Sequence, residues 1–255
     1  MMDAKKVFLD YASRFDSGNG MIHLKIVHTL EVVKVMDRLT EMMGLDGEMR
    51  ELAHLCAMFH DIGRFEQVKR YGTFLDHLSE DHATLGCRVL REEKLLNELT
   101  KRQQQMLLTA IENHNKYAIE EGLDEETLLL ARLIRDADKS DIFRVFACED
   151  MVDTMGETIE EVEQETITDC VYDCIFAHRC VEKTIRRTGL DKWVGFLAFF
   201  FDMNFPETME LLQGNSYYRK QFDEAHFTNP ETRRKVAEIL DEVERYIAER
   251  RGQCD

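Results

Sequence analysis

The first 205 residues of this chain contain no proline, and the full 255 contain two, Pro206 and Pro230. Proline removes a backbone donor and clashes with the preceding turn, so its near absence lets helices run long. Apolar residues recur at spacings of three and four through most of the chain, the period of a helix with one buried face. The expected fold is therefore all-α. Helices are expected over about 4–15, 22–43, 101–113 and 124–148, the last interrupted near Ser140, with a closing amphipathic helix from Pro230. Asp46 is a candidate N-cap for a helix that carries Met49, Leu52, Cys56 and His60 on one stripe. After Gly63 the stretch RFEQVKRYGTFLDHL loses its period and reads as a long loop or short helical pieces. SEDHATLGCRVL then opens a helix with Ser79 as N-cap and Asp81 in its first turn, and the acidic ETIEEVEQET opens another helical region at 157–166. The run WVGFLAFF at 193–200 is shorter than the roughly 20 residues a membrane-spanning helix needs, and reads as a buried core helix.

The stretch CAMFHDIGRFEQ, residues 56–67, carries a histidine and an aspartate into the buried end of such a helix. A buried charge is costly unless it is paired or bound to metal, so this pair requires partners. His28 shares a stripe with Val32, Val35 and Leu39, and Asp138 with Ala131, Ile134, Ile142 and Val145. His82 precedes Leu85, Gly86, Val89 and Leu90 on one face, and His114 follows Leu107, Ala110 and Ile111 on another. A single inward histidine is ordinarily a hydrogen-bonded core residue. Five inward ionisable residues, with Asp61 beside one of them, instead suggest two metals bridged by a carboxylate, and mixed imidazole and carboxylate donors suit Mn, Fe, Zn, Co or Ni.

The net charge of −17 opposes nucleic acid and anionic membranes as partners, because both are bound through basic surfaces. A small phosphorylated substrate stays compatible with that charge if divalent metals reverse the local field. Seven cysteines without a regular framework, and no secretory pattern in MMDAKKVFLDYASRF, lead to the expectation of a reducing, cytoplasmic setting. A homo-oligomer is left open.

The ordered series His28, His60-Asp61, Asp138 resembles the H…HD…D signature of the HD superfamily of metal-dependent phosphohydrolases, and HDIGRF is similar to that family's HDIGK form. His82 in HATLG and His114 in IENHN resemble the two extra histidines of its binuclear H…HD…H…H…D variants. The resemblance covers about residues 22–148. It implies an HD-domain helical bundle, and the helical pattern of the remaining chain adds a C-terminal extension, so the expected division is a catalytic domain over 1–150 and a helical region packed on it over 151–255. It implies that His28, His60, Asp61 and Asp138 bind a first divalent metal (Mn, Fe, Ni, Co or Mg), and that Asp61 bridges to a second held by His82 and His114. A metal-activated hydroxide would then attack a phosphate mono- or diester of a small metabolite, a nucleotide above all. Asp61 and Arg64 are the residues assigned to catalysis. Arg64 stands where the family's lysine is usual, so it reads either as a phosphate contact or as an ion pair with Glu66 or Asp61.

The same resemblance carries a rival, because a six-ligand HD site is also that of the superfamily's mixed-valent diiron oxygenases. A non-catalytic sensor is the third reading, disfavoured by six desolvated ionisable groups. NKYAIEEGLD after His114 lacks the GYP motif of cyclic-di-GMP phosphodiesterases. Arg64 and Phe65 stand where alarmone hydrolases have a Glu-Asp pair.

Other residues invite metal readings of less weight. His77 rivals His82, and Asp136 rivals Asp138, whereas Asp141 reads as a support for a ligand or a solvated charge. His23 and His54 lie off the ligand stripes. Cys170, Cys174, His178 and Cys180 could mimic a zinc site, against the preferred reading of a buried face using cysteines as small hydrophobes. The basic pairs at 186–187, 219–220 and 233–234 read as surface charge balance.

Overall fold

The computed structural model describes residues 3–45, 47–149 and 156–252. All its regular structure is helical, with no strand among the described residues. They divide into two compact units, residues 1–141 and 142–255.

In the first unit α1 (Ala4–Ala12), α2 (Gly20–Met42), α3 (Gly47–Phe59), α4 (Gly63–Tyr71), α5 (His82–Glu92) and α6 (Lys101–His114) are followed by α7 (Glu125–Cys148), which continues into the second. Side chains take up the orphan amides at the helix starts. Asn19 accepts from Met21 and Ile22, and Thr100 and Gln103 form a capping box. Asp124 accepts from Thr127 at the start of α7. α2 packs against α3 and α4, α5 against α4 and α6, and α6 against α3. Their inward faces bring together fully buried Val32, Met36, Leu39, Phe59, Phe65, Leu85, Ile111 and Ile134. Each such side chain contributes roughly 1.5–3 kcal/mol relative to exposure. α1 closes this core through Phe8, whose ring meets Phe65 edge-on at 5.7 Å.

Several boundaries differ from the sequence expectation for local reasons. Asp46 lies outside the described residues. α1 ends at Ala12, where Ser13 donates to the Asp10 carbonyl, and Phe15 follows in a turn with its ring 5.5 Å from that of Phe65. The aperiodic stretch after Gly63 begins with α4, a nine-residue helix whose buried stripe includes Phe65 and Val68, too few apolar residues to announce a period. Left-handed Gly72 ends it, and a 3-10 turn, Asp76–Leu78, follows. Asp81, not Ser79, caps α5 by accepting from Thr84, so His82 is the first helical residue. Ser79 instead accepts from Gln67 and donates to the Leu75 carbonyl. α7 runs through Ser140 unbroken, its hydroxyl donating to the Asp136 carbonyl one turn back.

The second unit contains α8 (Ile159–Val162), α9 (Asp169–Phe176), α10 (Gly189–Leu197), α11 (Pro206–Asn215), α12 (Tyr217–Glu224) and α13 (Pro230–Arg251). The acidic region at 157–166 yields only the single turn of α8, after which Glu165 turns back to accept from the Leu190 amide. Trp193, Val194, Leu197 and Phe200 of the apolar run are fully buried, and its last residues tighten into a 3-10 helix from Ala198. They share a core with Phe146, Phe222, Ile239 and Val243. No helix of the described residues is long and apolar enough to cross a membrane.

Candidate metal centre

α2 presents His28, the end of α3 presents His60 and Asp61, α5 opens with His82, α6 ends on His114, and α7 carries Asp138. All six meet inside the first unit. Asp61 is 3% exposed and lies at the centre, with its two oxygens facing different ways. Oδ2 is 3.6 Å from the Nε2 atoms of both His28 and His60, and Asp138 Oδ1 lies 3.0 and 3.6 Å from the same two nitrogens. Oδ1 faces the other pair, 3.4 Å from His82 Nε2 and 3.9 Å from His114 Nε2.

The far nitrogen of each ring has an acceptor. His60 Nδ1 donates to the Ala57 carbonyl at 2.8 Å and His114 Nδ1 to the Ile111 carbonyl at 2.7 Å. His82 Nδ1 donates to Asp76 at 2.8 Å and His28 Nδ1 to Asp141 at 2.7 Å. With the proton held on Nδ1, the neutral forms of the His60, His82 and His114 rings turn an Nε2 lone pair inward, whereas His28 Nε2 is hydrogen-bonded to Asp138 Oδ1 at 3.0 Å.

The electrostatics agree with that arrangement at His82 and His114. Burial, reinforced by His82 and His60, pushes His114 down to about 3. Burial and Arg64 also lower His82. Both rings are therefore neutral at pH 7, yet their Nε2 atoms stand 3.1 Å apart with no hydrogen to share. Burial and Lys25 pull His28 down, but hydrogen bonds to Asp138 and Asp141 outweigh them, and its pKa is raised. Burial pushes the Asp61 carboxyl up, yet Lys25, His60, Arg64 and His82 together hold it well below the usual carboxylate range. Burial likewise opposes ionisation of Asp138 and is overcome by the hydrogen bond from His28 together with the nearby His60 ring.

Converging lone pairs around ionised carboxylates form a site for a cation. His60 Nε2 and Asp61 Oδ1 are buried and have no hydrogen-bond partner among the described residues, a cost that coordination would remove. The ligand atoms of His28, His60 and Asp138 lie within 4.8 Å of one another, as do those of His60, Asp61 and His114. The residues fit a divalent metal. A third group, Asp76, Asp81 and His82, offers less. Its Asp76 already accepts from His82, Arg64 and Gln67, and its Asp81 from Thr84 and Asn115.

A family model described as the HD domain matches residues 26–142. Those residues form an HD domain. No curated protein and no solved structure matches the chain.

Within the HD domain, Arg64 lies beside the ligand cluster. Its Nη1 donates to Gln67, to the Phe74 carbonyl and to Asp76, while Nε is 3.5 Å from Asp61 Oδ1. Asp141 meets His28, whereas Asp136 is fully buried yet joins none of the groups with metal-binding geometry. His77 and His23 are exposed, and His54 pairs with Asp37. The cysteine cluster forms no metal group among the described residues. Cys170 is exposed and only Cys174 is buried, so the expected cysteine-lined buried face is reduced to one residue.

Sequence reasoning missed three residues here. Lys25, one turn before His28, places Nζ 2.6 Å from Asp61 Oδ2. Arg135, one turn before Asp138, is buried and bonded to carbonyls at the end of α6. The three-residue spacing that puts each on the face of a ligand was a readable signal. Asp76 had none, because it sits in the turn between α4 and α5.

Proposed function

We propose that this HD domain is a metal-dependent phosphohydrolase that acts on a phosphate ester of a small metabolite, a nucleotide first among the candidates. One divalent metal would be held by His28, His60, Asp61 and Asp138, and a second by Asp61, His82 and His114. The observation that carries the reading is the division of Asp61, one oxygen toward each set of imidazoles. HD domains are typically those of metal-dependent phosphohydrolases, which supports the hydrolytic class.

When bound, such metals supply Lewis acidity toward phosphoryl oxygens and lower the pKa of water. The protein's part is positional. Asp141, Asp76 and the carbonyls of Ala57 and Ile111 keep the Nδ1 protons in place, so the four rings do not reorient. Fully buried Phe59, Ile62 and Phe65 around the HD pair keep the local dielectric low, strengthening each charge interaction. Arg64 brings a fixed guanidinium next to Asp61, where a phosphoryl group would carry negative charge. The reading includes residues 1–150 as the catalytic domain and 151–255 as its helical extension.

The test is release of phosphate from nucleotide monoesters, and of a monoester from nucleotide diesters, by protein loaded separately with Mn, Ni, Co, Mg or Fe. Activity should appear with at least one metal and fall by about 10³ or more, on the order of 4 kcal/mol, in Asp61→Asn and Asp138→Asn. Activity surviving in both variants defeats the proposal. Substrate-dependent oxygen uptake by iron-loaded protein, without hydrolysis of either ester, would replace it with the oxygenase reading.

A further inference from the structure

Gln67 lies on α4 one turn after Arg64 and is fully buried. Its Oε1 accepts from Arg64 Nη1 at 2.8 Å, and its Nε2 reaches Asp76 Oδ1 at 2.7 Å, Ser79 Oγ at 2.9 Å and the Glu80 carbonyl at 2.9 Å. The partners fix which way the amide points, because a guanidinium can only donate whereas a carboxylate and a carbonyl can only accept. All three acceptors belong to the connection between α4 and α5. Its leucines, Leu75 and Leu78, are 50% and 65% exposed, so burial of their side chains does little to hold this segment. Its position depends on hydrogen bonds, and Gln67 makes three of them.

The effect reaches one side of Asp61. Asp76, bonded to Gln67, also accepts from His82 Nδ1 at 2.8 Å and from Arg64 Nη1 at 3.1 Å. His82 Nε2 and Arg64 Nε then approach the same atom, Asp61 Oδ1, at 3.4 and 3.5 Å. His28 and His60, which face Oδ2, find their Nδ1 acceptors elsewhere, in Asp141 and the Ala57 carbonyl. The hydrogen bonds of Gln67 go to none of the six candidate ligands, so its route to the centre runs through Asp76 and Arg64. A packing role does not explain the residue, since an apolar side chain of the same length would fill the space without a buried amide to satisfy.

We propose that Gln67 is a positioning residue for the Oδ1 half of the centre. Through Asp76 it fixes the His82 ring, and it thereby sets the affinity of the ion held by Asp61, His82 and His114 while leaving the ion of His28, His60 and Asp138 unaffected. This rests on the two-ion assignment above and not on the class of reaction.

Calorimetric titration of chelator-treated, full-length protein with Mn²⁺ tests it, comparing wild type with Gln67→Met, Gln67→Glu and His82→Ala. Wild type should take up two ions. Gln67→Met removes the amide at similar length, and Gln67→Glu keeps the volume but sets a carboxylate against Asp76. Both should weaken the binding step that His82→Ala also weakens, by about tenfold or more, and leave the other step within about twofold of wild type. Gln67→Met added to His82→Ala should bring no further loss, because the two act along one route. Wild-type affinity at both steps in the Gln67 variants overturns the proposal, and so does an equal loss at both, which is the mark of a merely structural role. Additive losses in the double variant overturn the route through His82. Uptake of fewer than two ions by wild type defeats the two-ion assignment, and this proposal with it.

Discussion

Arg135 shows how a residue outside the ligand set supports the centre. Its guanidinium, 2% exposed, donates to the carbonyls of Asn113, His114, Lys116 and Tyr117. These groups close α6, whose own turns leave its last carbonyls without partners, and the last residue of α6 is His114. Arg135→Met should cost about 1–3 kcal/mol for the stranded acceptors. It should also lower bound metal by the share that His114 holds, read by calorimetry and elemental analysis; unchanged metal content would mean that the Ile111 carbonyl alone orients His114. His54 gives a separate pH signal. Its hydrogen bond to Asp37 outweighs partial burial and raises its pKa. A raised histidine contributes stability in full below its unfolded value, about 6.5, and loses it as pH climbs through the folded value. The melting-temperature gap between wild type and His54→Gln should therefore be open at acid pH and closed well above the histidine range. A gap that widens with pH would refute the pairing.

At the scale of elements, the crossing of α4 and α5 explains two glycines that a motif alone leaves unexplained. A methyl on Gly63 would collide with the backbone of His82 and Gly86, whereas one on Gly86 meets the Gly63 amide at 3.3 Å and Ile62 at 3.6 Å. The HD pair precedes α4 and His82 opens α5, so this close crossing sets the distance from Asp61 to His82. Gly63→Ala should destabilise the fold by about 1–3 kcal/mol or more through overpacking and lower metal content, and Gly86→Ala should do markedly less. The reverse order in thermal melts would contradict this account of the crossing.

For the molecule as a whole, a net charge of −17 and a centre built from carboxylates both favour cations. A metal that binds only the folded state stabilises it by mass action, about 2.7 kcal/mol per site at a hundred times its dissociation constant. Mn²⁺ should raise the melting temperature of chelator-treated protein by several degrees, and EDTA should reverse the rise. Asp61→Asn should respond far less. An equal response in that variant would place the stabilising metal elsewhere.

The sequence by itself determined that this chain is helical, because a helical period and a nearly proline-free chain leave few alternatives. It also marked His28, His60, Asp61, His82, His114 and Asp138, since ionisable groups on apolar stripes are conspicuous in a linear text. Only the tertiary structure decided how they are grouped. The division of Asp61 between two pairs of imidazoles, and the reach of Lys25 across 36 positions to its oxygen, depend on how α2, α3, α5 and α6 pack. Asp76 and Gln67 were not legible as supports because their partners come from a turn and a short helix without a period of their own. Local spacing fixes which face of a helix a side chain occupies, whereas the meeting of two faces depends on packing between residues far apart in the chain.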